Sequence, residues 1–248
     1  MTAGYTVRPF DYLREGWEAF TNYPVGFLGF VFLLTLAAQA VPLLVPIAGQ
    51  LASLAIQIIM LAGIAMVTWR QLRSRRSAFG DFFPDWPMTA QLVLCTVVGL
   101  LLIVVGFFLL VIPGIYLMVA YTFSYLLLVD RRLGVWQALE GSRRVVGKNW
   151  WGIFGLTVVL LLVVGGGALI GGLVLGLPAG YALSGFFPTV SLDDLPIGFP
   201  QTGVTLNLGV LVGLVSGTMV GLGVGVAVGG CMMGAAYADI FGLASDRT

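Results

Sequence analysis

The 248 residues are 59% hydrophobic and only 9% charged, with a mean hydropathy of +1.02 and a net charge of +1. An ordinary soluble domain carries about 25% charged residues, so there is too little polar surface here to coat a water-soluble globule. Histidine is absent, which removes the commonest general base and metal ligand.

From the N-terminus, residues 10–22 place Phe10, Leu13, Trp17 and Phe20 at helical spacing among Asp11, Arg14, Glu15, Glu18 and Thr21. That pattern predicts an amphipathic helix lying in the headgroup plane, with Trp17 and Tyr23 as interface anchors. Apolar spans follow near 25–44 and 47–69. Ala38-Gln39-Ala40 resembles a signal cleavage site, but the segment before it is acidic on balance and amphipathic, so a retained first span is expected.

The connection 70–88 combines Arg73, Arg75 and Arg76 with Phe79, Phe82, Phe83 and Trp86, a basic and aromatic stretch suited to the inner leaflet. Spans near 89–112 and 114–130 are separated at Ile112-Pro113-Gly114, where the Pro-Gly pair predicts a tight turn. A second interfacial helix is expected at 133–147. Val135-Trp136-Gln137-Ala138-Leu139 echoes Gly16-Trp17-Glu18-Ala19-Phe20, and Asn149-Trp150 followed by Gly152 and Gly155 echoes Asn22-Tyr23 followed by Gly26 and Gly29. The echo suggests a degenerate parallel repeat; amphipathic helices that meet membrane spans share such residues even without one. Trp136, Trp150 and Trp151 join Trp17 as expected lipid-interface residues.

The last two spans are expected near 151–176 and 207–235, joined by a long connection that carries Asp193 and Asp194. Gly209, Gly213, Gly217, Gly221, Gly225 and Gly229 recur at steps of four and form one helix face. Lipid gives helices no hydrophobic reason to associate, so close backbone approach over small residues supplies the contact. Packing against Gly167, Gly171, Gly172, Gly176 and Gly180 of the fifth span is the first reading. Homo-oligomerisation and a sliding or pathway-lining helix compete with it.

Together these runs imply an all-α polytopic transmembrane bundle of about six spans and two interfacial helices, a single membrane domain over 1–248. With six spans all twelve Lys and Arg residues fall on one side, and the other side carries only Asp193 and Asp194. The positive-inside rule then puts both termini in the cytoplasm.

No nucleophile elbow, phosphate loop or Ser-Lys pair stands out, and Cys95 and Cys231 lie in apolar stretches outside any metal-type spacing. Neither a cofactor nor a metal is expected, and no soluble domain is expected to present a patch to nucleic acid. Asp239, Gln50 and Gln57 are the candidate polar site. Asp130 reads as a solvated boundary charge.

Ile112-Pro113-Gly114-Ile115-Tyr116-Leu117, the stretch from Asp130 through Trp136-Gln137-Ala138-Leu139 to Ser142, and Gly147-Lys148-Asn149-Trp150-Trp151 resemble a broad group of bacterial membrane proteins. The group includes YciC-like proteins and the membrane domain attached to some glycerophosphodiester phosphodiesterases. The resemblance covers roughly residues 110–155, implies a six-span bacterial inner-membrane protein, and supplies no agreed activity. The expected role is a non-enzymatic accessory or membrane-homeostasis factor whose partners are membrane lipids, with a second copy or another membrane protein as further partners. A small-molecule or lipid transporter is the alternative.

Overall fold

The computed structural model describes residues 6–72, 78–83, 85–191 and 205–241. Arg73, Arg75, Arg76, Asp193, Asp194 and Arg247 lie outside the described residues. The helices are α1 (Pro9–Asn22), α2 (Pro24–Leu44), α3 (Pro46–Leu72), α4 (Trp86–Leu109), α5 (Val111–Ala120), α6 (Ser124–Arg131), α7 (Val135–Val146), α8 (Trp150–Ile170), α9 (Leu177–Leu183) and α10 (Leu208–Ile240). Between α9 and α10 lie two short antiparallel strands, β1 (Thr189–Ser191) and β2 (Thr205–Asn207), paired Thr189 to Asn207 and Ser191 to Thr205.

Among the described residues six helical runs are long and apolar enough to cross a membrane: Pro24–Pro42, Ala48–Leu72, Phe79–Leu109, Val111–Arg131, Val135–Leu183 and Leu208–Ile240. They match the expected six in order. The fifth is 49 residues long because it joins the charged α7 to the apolar α8.

The chain divides into two compact units, Met1–Leu160 with Ala227–Thr248, and Leu161–Val226. In the first, α1 starts on a proline, whose missing N–H costs nothing in a first turn. The expected apolar face of α1 is only partly the buried one. Tyr12, Gly16, Ala19 and Phe20 face inward, whereas Phe10 and Trp17 point out. Small residues choose the face, because a methyl group at Gly16 would sit 2.6 Å from the Met232 backbone nitrogen of α10. The same helix meets α3 at Gly230, against Ile64, and at Gly234, against Thr68.

Phe82, in the short 3₁₀ turn Phe79–Phe82, is fully buried, stacked on Phe30 at 4.7 Å and edge-on to Phe27 at 5.2 Å. Arg70 at the end of α3 pairs with Asp81 in that turn, which anchors the aromatic part of the basic connection.

The expected turn at Pro113-Gly114 falls three residues earlier, at the extended Leu110, and Pro113 sits in the first turn of α5. The amide at that position has no partner within the helix anyway, so proline fits there. The single helix expected over 114–130 is broken between Ala120 and Ser124. The cause comes from α7: the buried Ser142 hydroxyl donates to the Ala120 carbonyl at 2.6 Å and accepts the Phe123 amide at 3.3 Å. Helix α7 thus runs back along α6 and α5, with Gly141 near Leu127 and Gly147 near Tyr116. The turn between α6 and α7 includes Arg132 in the left-handed region, φ 48°.

The second unit is a helical hairpin. The end of α8 passes through a π-helical stretch, Gly171–Gly176, into α9, and this run packs antiparallel against the start of α10. Gly209, Gly213, Gly217, Gly221 and Gly225 are buried and each abuts the opposing backbone: Leu183, Gly180, Gly176, Gly167 and Val164 respectively. A Cβ on Gly225 would lie 2.9 Å from the Val164 Cα, and at Gly217 it would collide with Gly176. Gly229, the last of the series, falls in the first unit and is buried there. Asn207 caps α10, its side-chain Oδ1 accepting the Gly209 and Val210 amides at 2.8 and 3.3 Å, while its Nδ2 donates to the Ser184 carbonyl.

Candidate functional site

The polar groups that the fold gathers lie at the end of α10 in the first unit. Tyr237 donates to the Asp130 carboxylate of α6 at 2.7 Å, and Tyr12 of α1 donates to Asp239 at 2.6 Å. Two residues of one helix end are therefore tied in opposite senses, one as donor and one as acceptor, to helices far apart in sequence. Tyr12 is buried, and burial followed by the bond to Asp239 pushes its hydroxyl well above the ordinary tyrosine value. It stays a protonated donor at physiological pH.

Asp130, expected as a solvated boundary charge, is only 14% exposed and has Arg131 at 3.9 Å. The Arg131 guanidinium also reaches the Phe241 carbonyl. Beside Asp130 and Tyr237 is a cavity of about 20 Å³, lined also by Ala65, Met66, Trp69, Leu126 and Val129. That is room for about one water molecule, so the arrangement is a packed polar joint with no space for an organic substrate. A second cavity of about 160 Å³ is open between Asp85, Pro87, Met88, Gln91 and Arg132, with Asp85 and Arg132 3.9 Å apart and both exposed.

Asp239, Gln50 and Gln57 do not form one site. Gln50 and Gln57 lie on outward positions of α3, and Asp239 is engaged by Tyr12. Ala65 and Thr68, not Gln57, meet α10 near its end, and the eleven steps from Gln57 to Thr68 amount to roughly 16 Å of helix rise. Among the described residues no group of three or more His, Cys, Asp or Glu is placed to hold a metal ion.

The lipid-interface expectations fare differently along the chain. Trp17, Trp136 and Trp151 are exposed, at 52%, 66% and 77%. Trp150 is half-buried, stacked on Phe154 at 5.2 Å and on Tyr116 at 6.3 Å. On α7 the charged residues face outward, Glu140 accepting from both Arg143 and Arg144 at 2.8 Å. Helices α1 and α7 share one design: each docks a face that includes small residues, Gly16 and Ala19 or Ala138 and Ser142, while a tryptophan, Trp17 or Trp136, and arginines face out.

No family model, curated protein or solved structure matches this chain.

Sequence reasoning missed Tyr12, Tyr237 and Ser142. The usable signal was the tyrosine in Ala236-Tyr237-Ala238-Asp239, because a phenol in an otherwise small and apolar helix end needs an acceptor when buried.

Proposed function

We propose that the chain is a non-enzymatic integral protein of the bacterial inner membrane, an accessory or membrane-homeostasis factor that contacts lipid through α1 and α7. Its resemblance to YciC-like membrane proteins belongs to this reading, as do cytoplasmic termini and the basic residues gathered at one leaflet. The observation that carries it is the outward placement of Trp17, Trp136, Arg144, Lys148 and Trp151 on helices whose other faces are docked. Interfacial aromatics and cations are the groups that headgroups bind.

Transport, the alternative, draws its support from the degenerate repeat and from the π-helical stretch, a feature frequent at functional sites. Against it stand the dispersal of Gln50, Gln57 and Asp239 and the backbone-to-backbone glycine packing. That packing also covers, within the chain itself, the face on which a second copy would have docked. A second copy or another membrane protein would have to use a different face.

Native mass spectrometry of protein extracted gently from its own membrane tests the reading. Retained phospholipid and no other stoichiometric ligand is the expected result. A single small molecule retained one per chain, and taken up by vesicles holding the protein, would overturn it in favour of transport.

A further inference from the structure

Val7, just before α1, and Gly152, at the corner between α7 and α8, are far apart in sequence and adjacent in the fold. The Val7 side chain occupies the space over Gly152, 2.8 Å from where a Cβ would be, beside the Asn149 side chain, whose oxygen accepts the Gly152 amide at 3.2 Å. Arg8 follows Val7 directly and is thereby brought to the corner that carries Arg144, Lys148 and Trp151. All four residues lie on exposed positions, the Arg8 side chain being 70% exposed.

Charge at this place is only partly compensated. Glu140 is shared by Arg143 and Arg144, and Arg8 has Asp11 no closer than 3.9 Å, with both side chains open to the surroundings. Lys148 has no carboxylate within 4 Å among the described residues. Among the described residues, Asp11 and Glu140 are the carboxylates within 4 Å of Arg8, Arg143, Arg144 or Lys148 around this corner. Its depth is marked by Trp150, Trp151 and Tyr116, whose amphipathic rings belong at the boundary between headgroup and hydrocarbon.

We infer that Arg8 and Lys148, held together by the seat of Val7 on Gly152, form a headgroup site for an anionic phospholipid of the adjoining leaflet. The inference deepens the proposed lipid contact by naming its place and the charge of its partner. An acidic headgroup supplies the missing negative charge at the depth where the rings lie, while the aliphatic stems of both residues pack along the apolar surface.

The test uses the whole protein in vesicles of equal phosphatidylcholine and phosphatidylglycerol, followed by mild extraction and native mass spectrometry of the lipid retained. Wild type should retain phosphatidylglycerol preferentially, and Arg8→Gln and Lys148→Gln should each lower that preference by roughly five-fold. Arg14→Gln removes an exposed cation of α1 already paired with Glu18 at 3.1 Å, and should leave it unchanged. Gly152→Val keeps every charge but displaces Val7, and should lower the preference as the charge variants do. No preference in wild type, an equal loss in Arg14→Gln, or full retention in a folded Gly152→Val would each overturn the site. Should that variant fail to fold, the two charge variants decide alone. Failure here with phospholipid still retained would leave the accessory reading standing, whereas a stoichiometric small molecule would remove that reading itself.

Discussion

At the scale of single residues, the two tyrosine–carboxylate bonds at the end of α10 should not be worth the same. Removing a donor costs most where the acceptor is left without water. Asp130 is 14% exposed whereas Asp239 lies on an exposed position. Tyr237→Phe should therefore destabilise by about 1–3 kcal/mol, and Tyr12→Phe by about 0.5–1.5 kcal/mol because water can replace the lost bond. Thermal melts in detergent should show the larger drop for Tyr237→Phe, and a reversed order would refute the burial argument. Asn207 gives a second case: Asn207→Ala removes the acceptor for two first-turn amides of α10, at a cost of about 1 kcal/mol. Asn207→Asp keeps that acceptor and should recover most of the loss in the same melt. These partners were not legible in sequence, since a hydrogen bond between Tyr12 and Asp239 depends on how helices dock, and local spacing says nothing of that.

At the scale of elements, what was legible followed from periodicity and what was missed followed from distant contacts. Six glycines at steps of four mark one helix face whatever the fold, and the partner glycines from Gly167 through the π-helical stretch to Gly180 lie along the opposing run. The break between Ala120 and Ser124 has no proline or glycine to announce it; a serine from α7 holds it open. The buried face of α1 was misjudged for a related reason. In lipid the large apolar side chains have no need to be buried by protein, so Gly16 and Ala19 could take the packed side. The glycines themselves can be sorted by experiment. Gly217→Ala places a methyl group against the Gly176 backbone and should cost about 1–3 kcal/mol. Gly165, with nothing within 4 Å of its added Cβ, has no such neighbour, so Gly165→Ala should be neutral or stabilising by up to about 1 kcal/mol through helix propensity. Equal effects of the two substitutions on the melting temperature would mean that composition, not contact, governs this hairpin.

At the scale of the whole molecule, orientation rests on parity. Each apolar run that crosses the bilayer moves the next connection to the other side, so an even number of crossings returns every Lys and Arg to one face, whereas an odd number would split them. Among the described residues six runs satisfy the length and composition that crossing requires, and the positive-inside rule predicts α7 on the cytoplasmic side and the connection after α9 on the opposite one. Cysteine labelling separates the two faces with little background, because Cys95 and Cys231 are both buried. Gly185→Cys, just after α9, should react with a membrane-impermeant maleimide in intact cells. Gln137→Cys, on an outward position of α7, should react only once the cells are opened. Labelling of both positions from outside would mean that the apolar run between them does not cross the bilayer, and the six-crossing arrangement would fall with it.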